Sequence, residues 1–276
     1  MPLEEKFEDR NDADSSTMGC WDHIEELAKS LKIVMYAYIV SFILLMALPG
    51  DLSFITNFNS YNFLIAVILR KIRENILPPN VMLVGLSLTD PIGLYFIAAA
   101  IIAAAVTLPI MAYRIYNFIN PALKSNEKKA VYPFLASFSV LFLAGLAFGY
   151  LLLNPLMIRA MLPFFDAADV QPFIDVMSFY TLVLETTLIM GLAFTFPIFF
   201  VLLTKFGIIN TSILTKNRKY AYPGLFIATM IITPDGSLVS NILLFAPMVI
   251  LLEGGILFAR RYEKDGVPKF RWFRRG

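Results

Sequence analysis

The sequence predicts an all-α integral membrane protein with six transmembrane helices, and three observations carry that prediction. Of 276 residues, 58% are hydrophobic and only 16% charged, with a mean hydropathy of +0.69. An ordinary soluble domain runs about 45–50% apolar and about 25% charged. The charges are also clumped: 33–50, 91–113, 130–158, 220–234 and 236–252 carry none, and 176–204 carries only Glu185. The longer of these runs exceed the roughly 20 residues that cross a hydrocarbon core of roughly 30 Å. Finally, the alternating ten-residue segments of a β-barrel are absent, and backbone groups in lipid must bond internally, so the runs read as helices.

Taken in order, the spans are expected at about 31–49, 91–113, 131–154, 178–203, 221–234 and 240–258. The first 32 residues are polar and mostly acidic, without an early apolar stretch, so neither a cleavable signal peptide nor a transit peptide is expected. Between the first two spans, 51–90 is the longest connection. Its apolar patch 61–69 is too short to cross, and Phe63, Leu64, Val67, Ile68 and Ile72 recur at roughly helical spacing. It reads as an interfacial helix, an external cap over the outer ends of the bundle. The segment 155–177, with Pro163, Asp166, Asp169 and Pro172, reads as a second external loop. The fifth and sixth helices are expected to be short. Only 15 uncharged residues separate Lys219 from Asp235, about 22 Å of helix, and Pro247 and Glu253 interrupt the sixth. Joined by the tight Pro234-Asp235-Gly236 turn, the two would form a thin hairpin at one edge of the bundle. The two halves show no convincing repeat, which weakens the signature of an inverted-repeat transporter.

An even number of spans puts both termini on one side, and basic residues decide which. Of the 23 Lys and Arg residues, 19 fall in the N-terminal tail, the 114–130 and 204–220 loops and the C-terminal tail. The opposite side keeps Arg70, Lys71, Arg73 and Arg159. Both termini are therefore expected in the cytoplasm, with 1–20 a polar tail, 21–262 the membrane domain and 263–276 a basic tail.

Most chemistries are excluded by what is missing. One cysteine (Cys20) and one histidine (His23) allow no intramolecular disulfide and no structural zinc site. A net charge of +2 leaves no nucleic-acid footprint. His23-Ile24-Glu25-Glu26-Leu27 lacks the second histidine of H-E-x-x-H. Phosphate-binding G-x-x-x-x-G-K-[ST], G-x-S-x-G and G-x-G-x-x-G do not occur. The chain reads as a protein without enzymatic activity, cofactor or metal.

What remains is a set of polar residues in costly places. Glu185 lies about ten residues into the fourth span and Glu253 well inside the sixth. An acid at mid-membrane costs roughly 2.5–3.5 kcal/mol on insertion scales, so it faces a cavity or a partner, or else lies neutral and hydrogen-bonded near an interface. On the cytoplasmic side stand Trp21-Asp22-His23-Ile24-Glu25-Glu26-Leu27 and Phe118-Ile119-Asn120-Pro121-Ala122-Leu123-Lys124-Ser125-Asn126-Glu127. Taken alone, their acids read as solvated charges.

Together these residues resemble a known family. His23-Ile24-Glu25-Glu26-Leu27, the Phe118-Ile119-x-Pro121-Ala122-Leu123-x-x-x-Glu127 loop, Phe194-x-Phe196-Pro197, Thr233-Pro234-Asp235 and Ala246-Pro247…Leu252-Glu253-x-Gly255 are similar, in order and spacing, to TatC, the central subunit of the twin-arginine translocase. The similarity runs from about residue 21 to 262. It implies a receptor in the cell membrane for folded precursors, binding signal peptides with two consecutive arginines. It also implies self-association, assembly with single-span partners of the TatA/TatB type, and export powered by the proton-motive force. By match to the motifs, Glu26 and Glu127 would be the arginine ligands, with Phe118 and Pro121 shaping the loop that presents Glu127. Arg–carboxylate pairs are bidentate and charge-assisted, which suits that task. Met230, Thr233 and Asn241 resemble the family's docking site for single-span partners, beside the outer-turn Asp235. The sequence departs from the family pattern in three places. Ala28, followed by Lys29, replaces the usual arginine after Leu27, and Thr195 stands where the fourth span usually carries a glutamate or glutamine, with Glu185 almost three turns earlier. A solute transporter and a ligand-free membrane scaffold are the competing readings. Discrimination between a twin-arginine peptide and its twin-lysine variant separates all three.

Overall fold

Helices that are apolar on nearly every face can bury themselves only against one another or against lipid, and that condition organises this chain. The computed structural model describes residues 20–50, 62–119, 131–205, 215–233 and 237–264. In chain order the elements are α1 (Cys20–Ala47), α2 (Leu64–Ile76), β1 (Met82–Val84), α3 (Asp90–Ile119), α4 (Val131–Phe148), α5 (Asn154–Ala167), β2 (Phe173–Asp175), α6 (Val176–Lys205), α7 (Arg218–Ile232) and α8 (Leu238–Lys264). Five stretches are long and apolar enough to cross a membrane: Ala28–Ala47, Asp90–Ile115, Leu135–Ala167, Val176–Ile198 and Leu238–Arg261. The bundle leaves Leu31, Met35, Ile39, Val106, Val140 and Ile250 among its exposed apolar side chains, the outward face that lipid covers.

α6 is the central post, packed along α4 on one side, α8 on another and α3 on a third. The α4–α6 approach is close because it runs through glycines. A Cβ on Gly145 would sit 2.5 Å from the Met190 carbonyl oxygen and 2.8 Å from Gly191 Cα. One apolar core joins Leu45 of α1, Leu94, Ala98 and Ala103 of α3, Ile158 of α5, and Phe179 and Val183 of α6. A second joins Leu153 and Met157 to Met190 and Ala193 of α6 and to Leu244 and Met248 of α8. The two short strands pair in parallel, Met82 with Phe173 through Val84 with Asp175, tying the α2–α3 connection to the start of α6.

Three expectations need correction. The apolar patch at 61–69 becomes a longer helix, α2, because the period continues beyond it. Ile65, Leu69, Ile72 and Ile76 are buried while Arg70, Lys71, Arg73 and Glu74 are exposed. α2 lies across the ends of its neighbours, where Tyr180 donates to the Leu69 carbonyl at 3.1 Å and Asn75 donates to Tyr150 Oη at 3.0 Å. The third span does not stop at 154. A π-helical turn, Gly149–Leu153, passes directly into α5 through Ala167, so much of the expected 155–177 loop is helix. Leu153, Met157 and Ile158 keep an apolar face buried there, and Pro155, which has no N–H to continue the backbone ladder, falls directly after the π turn in the first turn of α5. The sixth helix is not short: α8 runs 27 residues with Pro247 inside it, as membrane helices tolerate when neighbours re-satisfy the backbone. The fifth helix is short, as expected: α7 has 15 residues, about 22 Å, below the spanning length, so that the described residues hold five stretches of that length where six spans are expected.

Candidate functional site

The two ends of the α1–α3 pair place the sequence motifs. Leu45, near the end of α1, shares a core with Leu94, near the start of α3, and the Phe42 and Phe96 rings lie 6.1 Å apart. The helices are therefore antiparallel, and the first turns of α1 lie at the same end as the last turn of α3. Glu26 belongs to those first turns and Phe118 to that last turn. Pro121 and Glu127 follow α3 directly and lie outside the described residues. One turn along α1, Glu25 pairs with Lys29 at 2.9 Å, both exposed. The Lys29 ammonium, through that hydrogen bond and its charge, holds the Glu25 carboxyl below its usual range.

The two polar residues of the fourth long span do not meet. Glu185 is half-buried on the face of α6 shared with Leu188, Leu192 and Phe196, and among the described residues it makes no ion pair or hydrogen bond. Thr195 lies ten residues further, about 15 Å along the axis. It is buried, and its hydroxyl donates to the Leu192 carbonyl at 2.6 Å. Thr195 thus satisfies its own helix, while Glu185 is left open.

The three residues of the expected docking site also separate. Met230 is 50% exposed, on a face of α7 with Ile227 and Ile231. Thr233 is buried, and its hydroxyl donates to the Thr229 carbonyl at 2.5 Å. Asn241 is buried in α8, one turn before Leu244, and among the described residues neither Oδ1 nor Nδ2 of its carboxamide has a hydrogen-bond partner. Asp235 lies outside the described residues.

Sequence reasoning missed the polar clamp between α7 and α8. Arg218 Nη2 lies 2.7 Å from Glu253 Oε2, and Tyr222 donates a hydrogen bond to Glu253 Oε1. Glu253 is thereby paired, which disposes of it as a free intramembrane acid. The available signal was Arg218 and Tyr222, spaced i and i+4 on the helix that immediately precedes α8 and packs against it. A second polar contact was also missed: Asn154, fully buried after the π turn, donates to the Val183 carbonyl at 3.0 Å and to Thr187 Oγ1 at 2.9 Å.

These features define a multi-pass helical membrane protein whose polar residues gather at helix ends and along the α6–α8 side. The family profile of the Sec-independent protein translocase protein (TatC) matches residues 22–247. TatCy of Bacillus subtilis is 31% identical over 243 residues, covering 88% of this chain and 89% of the relative. TatC of Escherichia coli K12 is 31% identical over 248 residues, covering 88% and 89%. A crystal structure of the twin-arginine translocase receptor TatC superimposes with a TM-score of 0.73 at 26% identity, covering 87% of this chain and 98% of that one. The chain belongs to the TatC family, membrane components of Sec-independent protein translocation.

Proposed function

We propose that this protein is the receptor core of a twin-arginine translocase in the cell membrane. It crosses six times with both termini in the cytoplasm, α7 being the thin crossing and α2 the external cap. The distribution of 19 of 23 basic residues supports that orientation. Glu26 and Glu127, with Phe118 and Pro121 shaping their surroundings, bind the two arginines of a signal peptide. The observation that carries this reading is the antiparallel α1–α3 pair, which brings the turn holding Glu26 to the end where the chain runs on toward Glu127. Two carboxylates at one end of a bundle offer a guanidinium pair what an ammonium pair cannot use as well, a bidentate fork. Single-span TatA/TatB-type partners dock at the α7–α8 edge around Met230, Thr233 and Asn241 beside the Asp235 turn, copies of the chain self-associate, and the proton-motive force drives export. Glu185, open on the α6 face, serves as an intramembrane polar contact in place of Thr195.

Crosslinking of a twin-arginine signal peptide and of its twin-lysine variant to the membrane-embedded protein tests the central claim. Glu127→Gln and Glu127→Ala should each weaken binding by about 1.5–3 kcal/mol, the worth of a charge-assisted bond, and Glu26→Gln should act in the same direction. Equal crosslinking of the two peptides, or unchanged binding in both Glu127 variants, would remove the arginine site. Labelling of introduced cysteines at Asp166 and Lys216 checks the topology, since the two should react from opposite sides of the membrane.

A further inference from the structure

The four basic residues that stand against the charge bias of the chain all fall in two contacting helices. Arg70, Lys71 and Arg73 lie on the exposed side of α2, and Arg159 is exposed on α5, which packs against α2. Among the described residues no acid pairs with them: the ion pairs there are Lys29–Glu25 and Arg218–Glu253, and Glu74 of α2 pairs with none of the four. Four cations without an ion-pair partner among the described residues, on the side where basic residues are disfavoured, call for an anion.

The surroundings of Arg159 show what kind of anion. Leu152, Leu156 and Arg159 share one face at i, i+4 and i+7, with Leu152 54% and Leu156 46% exposed. The guanidinium thus tops an apolar strip of a spanning helix, the depth at which long cationic side chains reach headgroups. The adjoining face of α5 opens on a cleft of about 640 Å³ between α5 and the start of α6, walled by Ile158, Met161, Leu162, Phe165, Phe179 and Leu182. Its one acid, Asp175, has Oδ2 occupied by the backbone N–H and hydroxyl of Ser178. A cleft of this size and lining suits an extended hydrocarbon, and a soluble phosphate would leave it unused.

We propose that this end of the bundle binds an anionic phospholipid, its headgroup drawn to the basic surface that Arg70, Lys71, Arg73 and Arg159 make together and one acyl chain entering the α5–α6 cleft. The lipid ties α2 to α5 at a place where only a few side chains do so. The site uses the end of the bundle opposite to Glu26, so it stands or falls separately from signal-peptide recognition.

The test uses the full chain in detergent micelles, with lipid binding read by native mass spectrometry and by the shift in melting temperature. The probes are phosphatidylglycerol, phosphatidylcholine with the same chains, and inorganic phosphate. Phosphatidylglycerol should bind roughly tenfold or more tighter than phosphatidylcholine, since basic residues near the membrane surface favour an anionic headgroup. The combined variant R70Q/K71Q/R73Q/R159Q should lose that preference, and R70K/R73K/R159K should keep most of it, which controls for folding. Leu162→Trp, which fills the cleft, should weaken both lipids while leaving their ratio. Equal binding of the two lipids, a preference that survives in the glutamine variant, or inorganic phosphate displacing phosphatidylglycerol and reproducing its melting shift would each overturn the proposal. Wild-type binding of Leu162→Trp would overturn the acyl-chain part.

Discussion

The α4–α6 contact and the α7–α8 contact hold helices together by opposite means. Along α4 and α6 the glycines Gly145, Gly149 and Gly191 let backbones touch, and Phe148 packs on Phe194 with ring centroids 5.2 Å apart. Between α7 and α8 no glycine plays that part: a Cβ added at Gly224 or Gly254 would meet nothing within 4 Å. This pair is joined by the Arg218–Glu253–Tyr222 clamp, by one edge-on ring contact, Phe226 on Phe245 at 5.3 Å, and by Leu225 packed on the core that holds Leu244 and Met248. In lipid, apolar contact alone gives little reason for two helices to stay together, so close packing or polar bonds must do it. The first pair uses close packing and makes a fixed frame. The second uses polar bonds at one end and leaves Ile227, Met230 and Ile231 of α7 exposed. A helix held by a clamp retains a face for another helix.

The glycine seam gives the largest effect. Gly145→Val should destabilise the purified protein by about 3 kcal/mol, at the upper end of overpacking costs, because the clash is with backbone that cannot step aside. Gly191→Ala should cost less, since its new Cβ would meet the side-chain atoms Leu146 Cδ2 and Phe142 Cε2. Gly254→Ala should be neutral or stabilising. Melting temperatures in detergent decide it, and equal losses at Gly145 and Gly254 would erase the contrast between the two seams.

The clamp comes next. Glu253→Ala leaves a part-buried Arg218 without its carboxylate and should cost about 1.5–3 kcal/mol, whereas Tyr222→Phe should cost about 1 kcal/mol. Both losses should appear first as greater proteolytic access to the 205–217 connection, while the α4–α6 frame stays protected. Simultaneous loss of protection everywhere would mean that the hairpin and the frame unfold as one unit.

How far these features can be read from sequence follows the same division. Uncharged runs and their spacing reveal α1, α3, α6 and the shortness of α7, because lipid imposes a length and a composition on whatever crosses it. They misjudge α5 and α8, where Pro163 and Pro247 signal a break that packing overrides. Glu253 is legible as a costly acid but its partner is not. That pairing depends on the register between two helices, which no local signal in either one sets. The motif residues Glu26 and Phe118 are legible through family resemblance, and their shared end only through the antiparallel contact of Phe42 with Phe96. Nothing local distinguishes Thr195, which bonds its own helix, from Glu185, which has no hydrogen bond or ion pair among the described residues.

The exposed face of α7 sharpens the comparison at a smaller scale. Asn241→Leu replaces an unpartnered buried carboxamide by an apolar group of similar size, so the isolated protein should be as stable as the wild type or slightly more so. Copurification of a single-span partner should nevertheless fall, with Thr233→Val adding to the loss, each by the roughly 0.5–2 kcal/mol of an interhelical hydrogen bond. Unchanged partner recovery from a stable double variant would move docking to Met230 and the isoleucines alone.

The smallest expected effect lies at the start of α6, the element both seams share. Asp175 precedes Val176 and accepts hydrogen bonds from the backbone N–H of Ser178 at 2.9 Å and from its hydroxyl at 2.8 Å. That is an N-cap, and the bonds, the backbone one foremost, hold the carboxyl below its ordinary value of 3.8. Because the folded state favours the charged form, the stabilisation is fully present above the unfolded value and fades as pH falls below it through the lower folded value. Asp175→Ala should therefore cost about 1 kcal/mol at neutral pH and progressively less below about pH 4, where the wild type loses the same contribution. Asp175→Asn, which caps comparably, should remain close to wild type at pH 7 and show a flatter acid limb. Melting curves of the three proteins at pH 7 and pH 3 make the comparison. A full-sized Asp175→Ala deficit persisting at pH 3 would assign the residue to packing against Val84 across the strand pair, not to capping the central helix.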